Sequence, residues 1–163
     1  MTRAAEEVVV RKNIRVHVPI DRAFSVFVEQ MELWWPPSHH IAANPFQSIF
    51  VEPCVGGRWF ERDAAGNECE WGTVRAWDPP RLVTFSWHLG PDWKFNPDLA
   101  KASDVAIRFT PEGTTATLVE LVHSGFERHG EGYERLRMML DSPDAWTSTL
   151  AAFVKAVDRE VVE

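Results

Sequence analysis

The C-terminal segment 142–161 carries an apolar stripe that constrains the fold more than any other feature of the chain. Ser142 is a suitable N-cap, and Pro143 and Asp144 suit a first helical turn. The residues 143–161 therefore predict one helix, about 30 Å long. Its stripe must be covered by another layer of structure. The apolar positions are Trp146, Leu150, Phe153, Val154, Val157 and Val161.

The sequence before this helix is typical of strands joined as hairpins. A helix is predicted from Pro19, with Phe24, Phe27, Val28 and Met31 at helical spacing, and it must end before the WWPP stretch. A second short helix is predicted over 130–140. Since no βαβ unit is present, we expect an α+β fold in which the terminal helix lies on an antiparallel sheet; if the sheet curves around the helix, the two enclose a cavity. The predicted strands cover 7–18, 45–53, 81–87, 104–109 and 115–123, together with the two arms of a hairpin that opens at residue 56. The second arm of this hairpin runs on through EWGTVRAW to the Asp78-Pro79-Pro80 turn.

The segment GGRWFERDAAGNECEWG, residues 56–72, predicts a hairpin with aromatic residues on both arms. Gly66 suits the left-handed position that follows a type I turn. If Asp63 pairs with Asn67, Arg62 faces Glu68 and Trp59 faces Trp71, which suits both pairs. In this register Trp59 and Trp71 share one face of the sheet, whereas Phe60 and Glu70 share the other. Each arm then sends an aromatic ring inward.

Charge and composition exclude several classes of protein. The 163 residues suffice for one domain with a core. The net charge of −7, from 17 basic and 24 acidic residues, argues against nucleic-acid binding. No apolar run is long enough to cross a bilayer, and the N-terminus lacks the pattern of a signal peptide. Only Cys54 and Cys69 are present, so we expect a cytoplasmic protein with reduced thiols, although their spacing alone also permits a disulfide.

Several stretches, in this order and spacing, resemble the activator-of-Hsp-ninety-ATPase-homologue-like family of the START-like or SRPBCC superfamily. They are IRVHVPIDRAFSVF, WWPP, EPCVGGRWFE, GNECEWGTVRAWDPPRLVTFSW, VAIRFTPEGTTATLVELVHSGFERHGEG and AWTSTLAAF. The resemblance runs almost from end to end. It implies a helix-grip fold, with the terminal helix clasped by a curved antiparallel sheet over an interior cavity. It implies no particular reaction, because one such scaffold serves many functions.

The chain has eight tryptophans, and the aromatic residues are the strongest candidates for a binding site. They can be core residues, or they can line a cavity that takes an apolar or aromatic ligand, as pockets usually combine such rings with a few polar groups. Both interpretations remain open for each ring. The residues predicted to bind ligand are Trp34, Trp35, Phe60, Trp71, Trp87, Trp93, Trp146 and Phe153.

The histidines and carboxylates give weaker signals. The pair His39-His40 has no third metal ligand nearby in sequence, so a solvated loop pair is favoured over a metal or acid–base site. His88 and His123, at predicted strand ends, are expected to be structural. Cross-strand ion pairs on the solvent face are favoured for the strand carboxylates, and Glu70 is of most interest because it shares a face with Phe60. The strand carboxylates are Glu61, Glu70 and Glu120.

Three functions are consistent with these patterns, in order of preference. The first is a binding protein for a small hydrophobic molecule, without a cofactor or metal. The second is a cyclase, dehydratase or hydrolase that uses a histidine or glutamate in the cavity, although no nucleophile motif or phosphate-binding loop is present. The third is a chaperone-associated protein, as the family resemblance suggests. Exposed aromatics such as Trp93 also favour a homodimer weakly.

Overall fold

In a computed structural model, which describes residues 9–36, 39 and 45–162, the strands form one antiparallel sheet. The strand bounds are β1 Val10–Val16, β2 Phe46–Val51, β3 Arg58–Asp63, β4 Glu68–Asp78, β5 Leu82–Trp87, β6 Ser103–Glu112 and β7 Ala116–Ser124. Their order in the sheet is β1-β7-β6-β5-β4-β3-β2. The first strand thus crosses over to pair with the last, and every other pair is a hairpin neighbour. Residues 7 and 8 of the predicted first strand lie outside the described part.

Among the described residues, three α-helices accompany the sheet: α1 Ile20–Glu29, α2 Tyr133–Asp141 and α3 Ser148–Val162. The sheet curves around the terminal helix, so the predicted α+β helix-grip architecture is confirmed. The stripe of α3 faces the core, where Leu150, Phe153 and Val157 are buried. The Phe153 ring packs 5.0 Å from Phe27 of α1, between centroids. The side chain of Val161 lies outside the described residues.

The terminal helix begins later than the sequence predicts. Residues Pro143–Thr147 form one irregular turn, in which Ala145 has φ −108° and ψ −114° and so leaves the helical region. Ser142 does not cap the helix through its side chain, and instead its hydroxyl donates to the carbonyl of Met139 at 2.7 Å. The hydroxyl of Ser148 lies 3.1 Å from the carbonyl oxygen of Ala145, a local bond that competes with regular helix. Trp146 therefore projects from a kink and not from a straight helix.

The hairpin of β3 and β4 has the predicted turn but not the predicted register at its far end. Arg62 pairs with Glu68 as expected, but a bulge between Trp59 and Phe60 places Trp59 opposite Gly72 and not opposite Trp71. Trp59 and Trp71 still lie on one face, with ring centroids 5.5 Å apart. At the bulge, Gly72 allows the backbones of β4 and β5 to approach closely, because a Cβ there would lie 1.7 Å from the carbonyl oxygen of Ser86 on β5.

Alternation along β6 follows the sequence pattern. Val105, Ile107 and Phe109 are buried, whereas Arg108 between two of them is exposed. These residues and the rings of α1 form the centre of the core.

Both cysteines are free thiols, so the structure contains no Cys54–Cys69 disulfide. Partial burial raises the pKa of the Cys69 thiol above its ordinary value. Within the described residues, no helix combines the length and the apolar character needed to cross a membrane.

Candidate functional site

A cavity of about 220 Å³ opens at the N-terminal end of α3, between the kinked turn, the end of α2 and the strands β4 and β5. It is smaller than the roughly 300–1,000 Å³ of typical ligand clefts, so it favours a compact ligand over a bulky one. Its lining consists of Trp35, His39, Trp71, Trp87, Trp93, Met139, Leu140, Ser142, Asp144, Ala145, Trp146 and Thr149.

Five indole rings form the walls of this pocket. Trp71 lies 5.3 Å from Trp87 and 5.4 Å from Trp35, between ring centroids, and both pairs meet edge to face. Trp87 in turn lies 5.6 Å from Trp146. Trp93 closes one side, with its ring nearly perpendicular to Trp71 at 5.7 Å. Rings at these angles present both faces and edges, an arrangement that suits an aromatic guest.

The buried wall indoles do not offer their N–H groups to a ligand. Each donates within the protein: Trp35 to the His39 carbonyl at 2.8 Å, Trp71 to Glu61 at 3.0 Å, Trp87 to the Leu89 carbonyl at 2.9 Å and Trp146 to His123 at 3.1 Å. Since these donors are already satisfied, the four rings present only carbon and π-surface to the cavity. Recognition by these walls therefore depends on shape and stacking.

Three residues that the sequence predicts for the site lie elsewhere. Trp34 is a core residue whose N–H donates to the carbonyl of Val26 at 3.0 Å, and Phe153 is buried against it. Phe60 lies on the opposite face of the sheet from Trp59, where it packs against Phe50 and beneath the Arg58 guanidinium. The alternation of β3 explains this placement, since neighbouring residues of a strand point to opposite faces.

Polar groups gather at the rim, where His39 links two parts of the chain. Its Nε2 lies 3.0 Å from the carbonyl oxygen of Asp144, so this nitrogen must carry the proton. Its Nδ1 lies 3.1 Å from the hydroxyl of Thr149. Burial lowers the pKa of His39 and keeps the ring neutral. His39 is thus a half-buried rim residue and not the solvated loop residue that was favoured from sequence, and His40 lies outside the described residues.

Behind the Trp146 wall, a chain of hydrogen bonds leads away from the pocket. His123 accepts from Trp146 through Nδ1, so its Nε2 carries the proton and donates to the Ser103 hydroxyl at 2.8 Å. Ser103 then donates to Nε2 of His129 at 2.8 Å. Burial lowers the pKa of His123 well below its ordinary range, and burial also lowers that of His129 to about 4. His123 is structural, as expected, and so is His88, which bonds to Ser86 and the Asn96 carbonyl.

Glu61 differs most from expectation. The sequence favoured a solvent-face ion pair, but Glu61 is fully buried and accepts the hydrogen bond of Trp71. It shares its sheet face with Trp59, two residues earlier, which turns it toward the core. Surface ion pairs of this region are instead made by Glu68, with Arg58 and Arg62, and by Glu52, with Arg58.

The loop that carries Trp93 is held in an unusual conformation. Trp93 has φ +63°, the left-handed region that bulky residues rarely adopt. Backbone bonds fix it there, since its N–H donates to the carbonyl of Gly90 at 2.8 Å. Such strain is retained where the surrounding structure requires it, often at ligand sites. Met139 also lines the pocket and is 41% exposed.

Metal binding finds no support in the described residues, where no three possible ligand side chains from His, Cys, Asp and Glu lie together. The polar groups of the site are those of the rim, which can bind a hydroxyl or carbonyl at the edge of a ligand. The aromatic walls can hold its ring system.

Comparison with solved structures places the chain among small proteins of one fold. An anthrahydroquino-γ-pyrone synthase, Txn09, is 36% identical over 90% of this chain and 95% of its own, with a TM-score of 0.64. CalC, a self-sacrificing resistance protein from Micromonospora echinospora, is 26% identical over 93% of this chain and 95% of its own, with a TM-score of 0.65. A protein from Nitrosomonas europaea is 13% identical over 97% of this chain and 99% of its own, with a TM-score of 0.69, and shares the fold alone.

A search of curated protein sequences gives no match. A family model, by contrast, matches residues 17–158, from the end of β1 to the last turns of α3. The matched span includes every residue that lines the indole pocket. The chain therefore belongs to the family described as activator of Hsp90 ATPase homolog 1-like proteins.

Proposed function

We propose that this protein binds a planar, fused-ring aromatic molecule in the indole pocket. The observation that carries the proposal is a cavity of about 220 Å³ with five indole walls, four of which have their N–H donors satisfied within the protein. Such walls favour π-surface over a flexible aliphatic chain, because aromatic pairs gain about 0.5–1.5 kcal/mol beyond area burial.

Similarity to the synthase supports this ligand class. That relative is named for a product with fused aromatic rings, and it is 36% identical to the present chain. The rim residues His39 and Thr149 are placed to meet a polar substituent on the edge of such a molecule.

Titration with anthracene-2-sulfonate, followed by tryptophan fluorescence, tests the proposal. We expect saturable quenching by the aromatic probe and none by a saturated sulfonate of similar size. Trp93→Ala removes a partly exposed wall and should weaken binding about 3- to 10-fold. Trp77→Phe is the matched control, because Trp77 packs on Phe24 outside the pocket and should leave the affinity unchanged. Equal affinity for both probes would refute the proposal.

A second candidate function is ring-forming catalysis on the bound molecule. The synthase relative favours it, and so does His39, whose lowered pKa makes it neutral at pH 7 and whose ring lines the pocket. The neutral imidazole of His39 can act as a base through Nδ1 if the bound molecule displaces the Thr149 hydroxyl from this nitrogen.

Incubation with the substrate of that synthase, with product detected by mass spectrometry, tests this candidate. We expect His39→Asn to reduce turnover at least 100-fold, the lower range for loss of acid–base catalysis, with little change in substrate affinity. Unchanged turnover in His39→Asn would exclude His39 as the base. If the wild-type protein forms no product, ring-forming catalysis is excluded and ligand binding remains the proposed function.

A further inference from the structure

A second, inner cavity lies directly behind the indole pocket. It has a volume of about 10 Å³ and shares two residues, Trp35 and Trp146, with the outer pocket. The centroids of these two rings are 6.2 Å apart, so they form a partition between the two spaces. The inner cavity is lined by Phe27, Met31, Trp35, Trp59, Phe85, Val105, Ile107 and Trp146.

One side chain of this inner cavity has an unsatisfied donor. Trp59 is 1% exposed, and its indole N–H meets no hydrogen-bond acceptor in the described part of the chain. Within the described residues, the other buried side-chain atom without a hydrogen bond is Oδ1 of Asp104, which still lies 3.2 Å from the Arg75 guanidinium. Among the same residues, no charged group of this kind lies at the Trp59 N–H. An unsatisfied buried donor destabilises the folded state, so its retention calls for an explanation.

Water is a poor partner for this group. The cavity is at the lower limit for one water molecule, which needs two to four polar partners. The other lining side chains are hydrocarbon or thioether, apart from Trp35 and Trp146, whose N–H groups donate elsewhere. A carbonyl oxygen carried by a ligand differs from water in this respect, because one donor satisfies it.

The partition has a means of opening. Trp146 follows Ala145, whose backbone departs from helical geometry, so a shift of this turn can tilt the ring about its hydrogen bond to His123 without unwinding α3. A flat ligand edge can then pass between Trp35 and Trp146 and reach Trp59.

We infer that the inner cavity is a subsite for a ring carbonyl oxygen, of the quinone type, which accepts a hydrogen bond from Nε1 of Trp59. This inference rests on the proposed function and narrows its ligand class from fused aromatic rings to rings with a carbonyl on the leading edge. The sulfonate or other polar end of a probe remains at the rim, near His39.

Two probes of the same outline test the inference: anthraquinone-2-sulfonate and anthracene-2-sulfonate, which differ by the two ring carbonyls. Trp59→Phe removes the donor and should weaken binding of the anthraquinone about 3- to 10-fold more than binding of the anthracene. Trp87→Phe is the matched control, because its N–H already donates to Leu89 and its loss should weaken both probes equally.

NMR of the wild-type protein gives a second test that does not depend on folding of the Trp59→Phe variant. In the wild-type protein, the indole proton of Trp59 should move downfield in the NMR spectrum with anthraquinone-2-sulfonate and not with the anthracene probe. Equal weakening of both probes by Trp59→Phe, or an unmoved indole resonance with bound anthraquinone, would overturn the subsite and leave the proposed function intact. Failure of both probes to bind the wild type would overturn the two together.

Discussion

The indole N–H of Trp146 donates to Nδ1 of His123 across 3.1 Å, so a wall of the pocket is fixed by a buried residue of β7. Because an indole can only donate, His123 must keep Nδ1 unprotonated, and its proton must lie on Nε2. The donor and acceptor roles in the hydrogen bonds from His123 to Ser103 and from Ser103 to His129 follow from this protonation of His123. The pocket wall and the core of the sheet thus share one hydrogen-bond network.

Removal of either end of the Trp146–His123 bond should destabilise the fold. We expect His123→Leu to cost about 1–3 kcal/mol, because the buried N–H of Trp146 loses its acceptor. Urea denaturation measures this cost. The double variant His123→Leu/Trp146→Phe should cost less than the sum of the single variants, since it leaves no donor unsatisfied. Strict additivity would contradict the coupling.

Stability should fall as the solution is acidified from pH 6.5 toward 4. Burial lowers the pKa of His123 and lowers that of His129 to about 4, whereas in the unfolded chain both histidines take up protons near pH 6.5. In this window the unfolded state binds more protons, so acid favours it, by up to about 1.4 kcal/mol per pH unit for each proton. Thermal unfolding from pH 7.5 to 4 measures the effect.

The matched variant for the acid effect is His129→Gln, which keeps an acceptor for the Ser103 hydroxyl but cannot titrate. Its melting temperature should fall less steeply between pH 6.5 and 4 than that of the wild type. The exposed carboxylates with lowered pKa values, such as Glu68, lose their contribution below about pH 4.5 and so act mainly at the acid end. Identical slopes for variant and wild type would contradict the assignment to His129.

Two glycine substitutions should differ sharply in cost. At Gly72 an added Cβ would lie 1.7 Å from the Ser86 carbonyl oxygen, so Gly72→Ala must separate β4 from β5 and should cost more than about 4 kcal/mol. At Gly66 there is open space, and Gly66→Ala meets only the strain of φ +90°, about 1–2 kcal/mol. Chemical denaturation of both variants measures their loss of unfolding free energy. Similar losses for Gly72→Ala and Gly66→Ala would contradict the close approach of β5 at Gly72.

The stripe of α3 offers a direct test of core packing. Leu150 is buried where the helix meets the sheet, so Leu150→Ala should cost about 2–5 kcal/mol. Ala151, the next residue, is exposed, and Ala151→Ser serves as the control with a cost of at most about 0.5 kcal/mol. A cost below 1 kcal/mol for Leu150→Ala would place the stripe outside the core.

Hydrophobic period and turn composition were sufficient to predict the fold. The alternation of Val105, Ile107 and Phe109 and the stripe at Leu150 and Phe153 are set by local geometry, which sequence displays directly. The sequence does not predict the kink at Ala145. The hydroxyl of Ser148 bonds to the Ala145 carbonyl and competes with regular helical hydrogen bonding, and helix propensity does not include such local competition.

The site was predicted less completely, for physical reasons. Trp34 and Trp35 lie where the chain is neither strand nor regular helix. No hydrophobic periodicity therefore tells that Trp34 packs in the core and Trp35 lines the pocket. The bulge beside Trp59 shifts the register of β3 against β4 by one residue and places Trp59 opposite Gly72, where β5 approaches closely. Burial of Glu61 had one usable signal: its two-residue spacing from Trp59 on a single strand.

A crystal structure of the complex with anthracene-2-sulfonate tests the central claim most directly. The account predicts the ring system within contact distance of Trp71, Trp87 and Trp146, with the sulfonate at the rim beside His39. Ring density confined to the separate concavity bounded by residues 90–97 and 129–135, with the indole pocket unchanged, would contradict it.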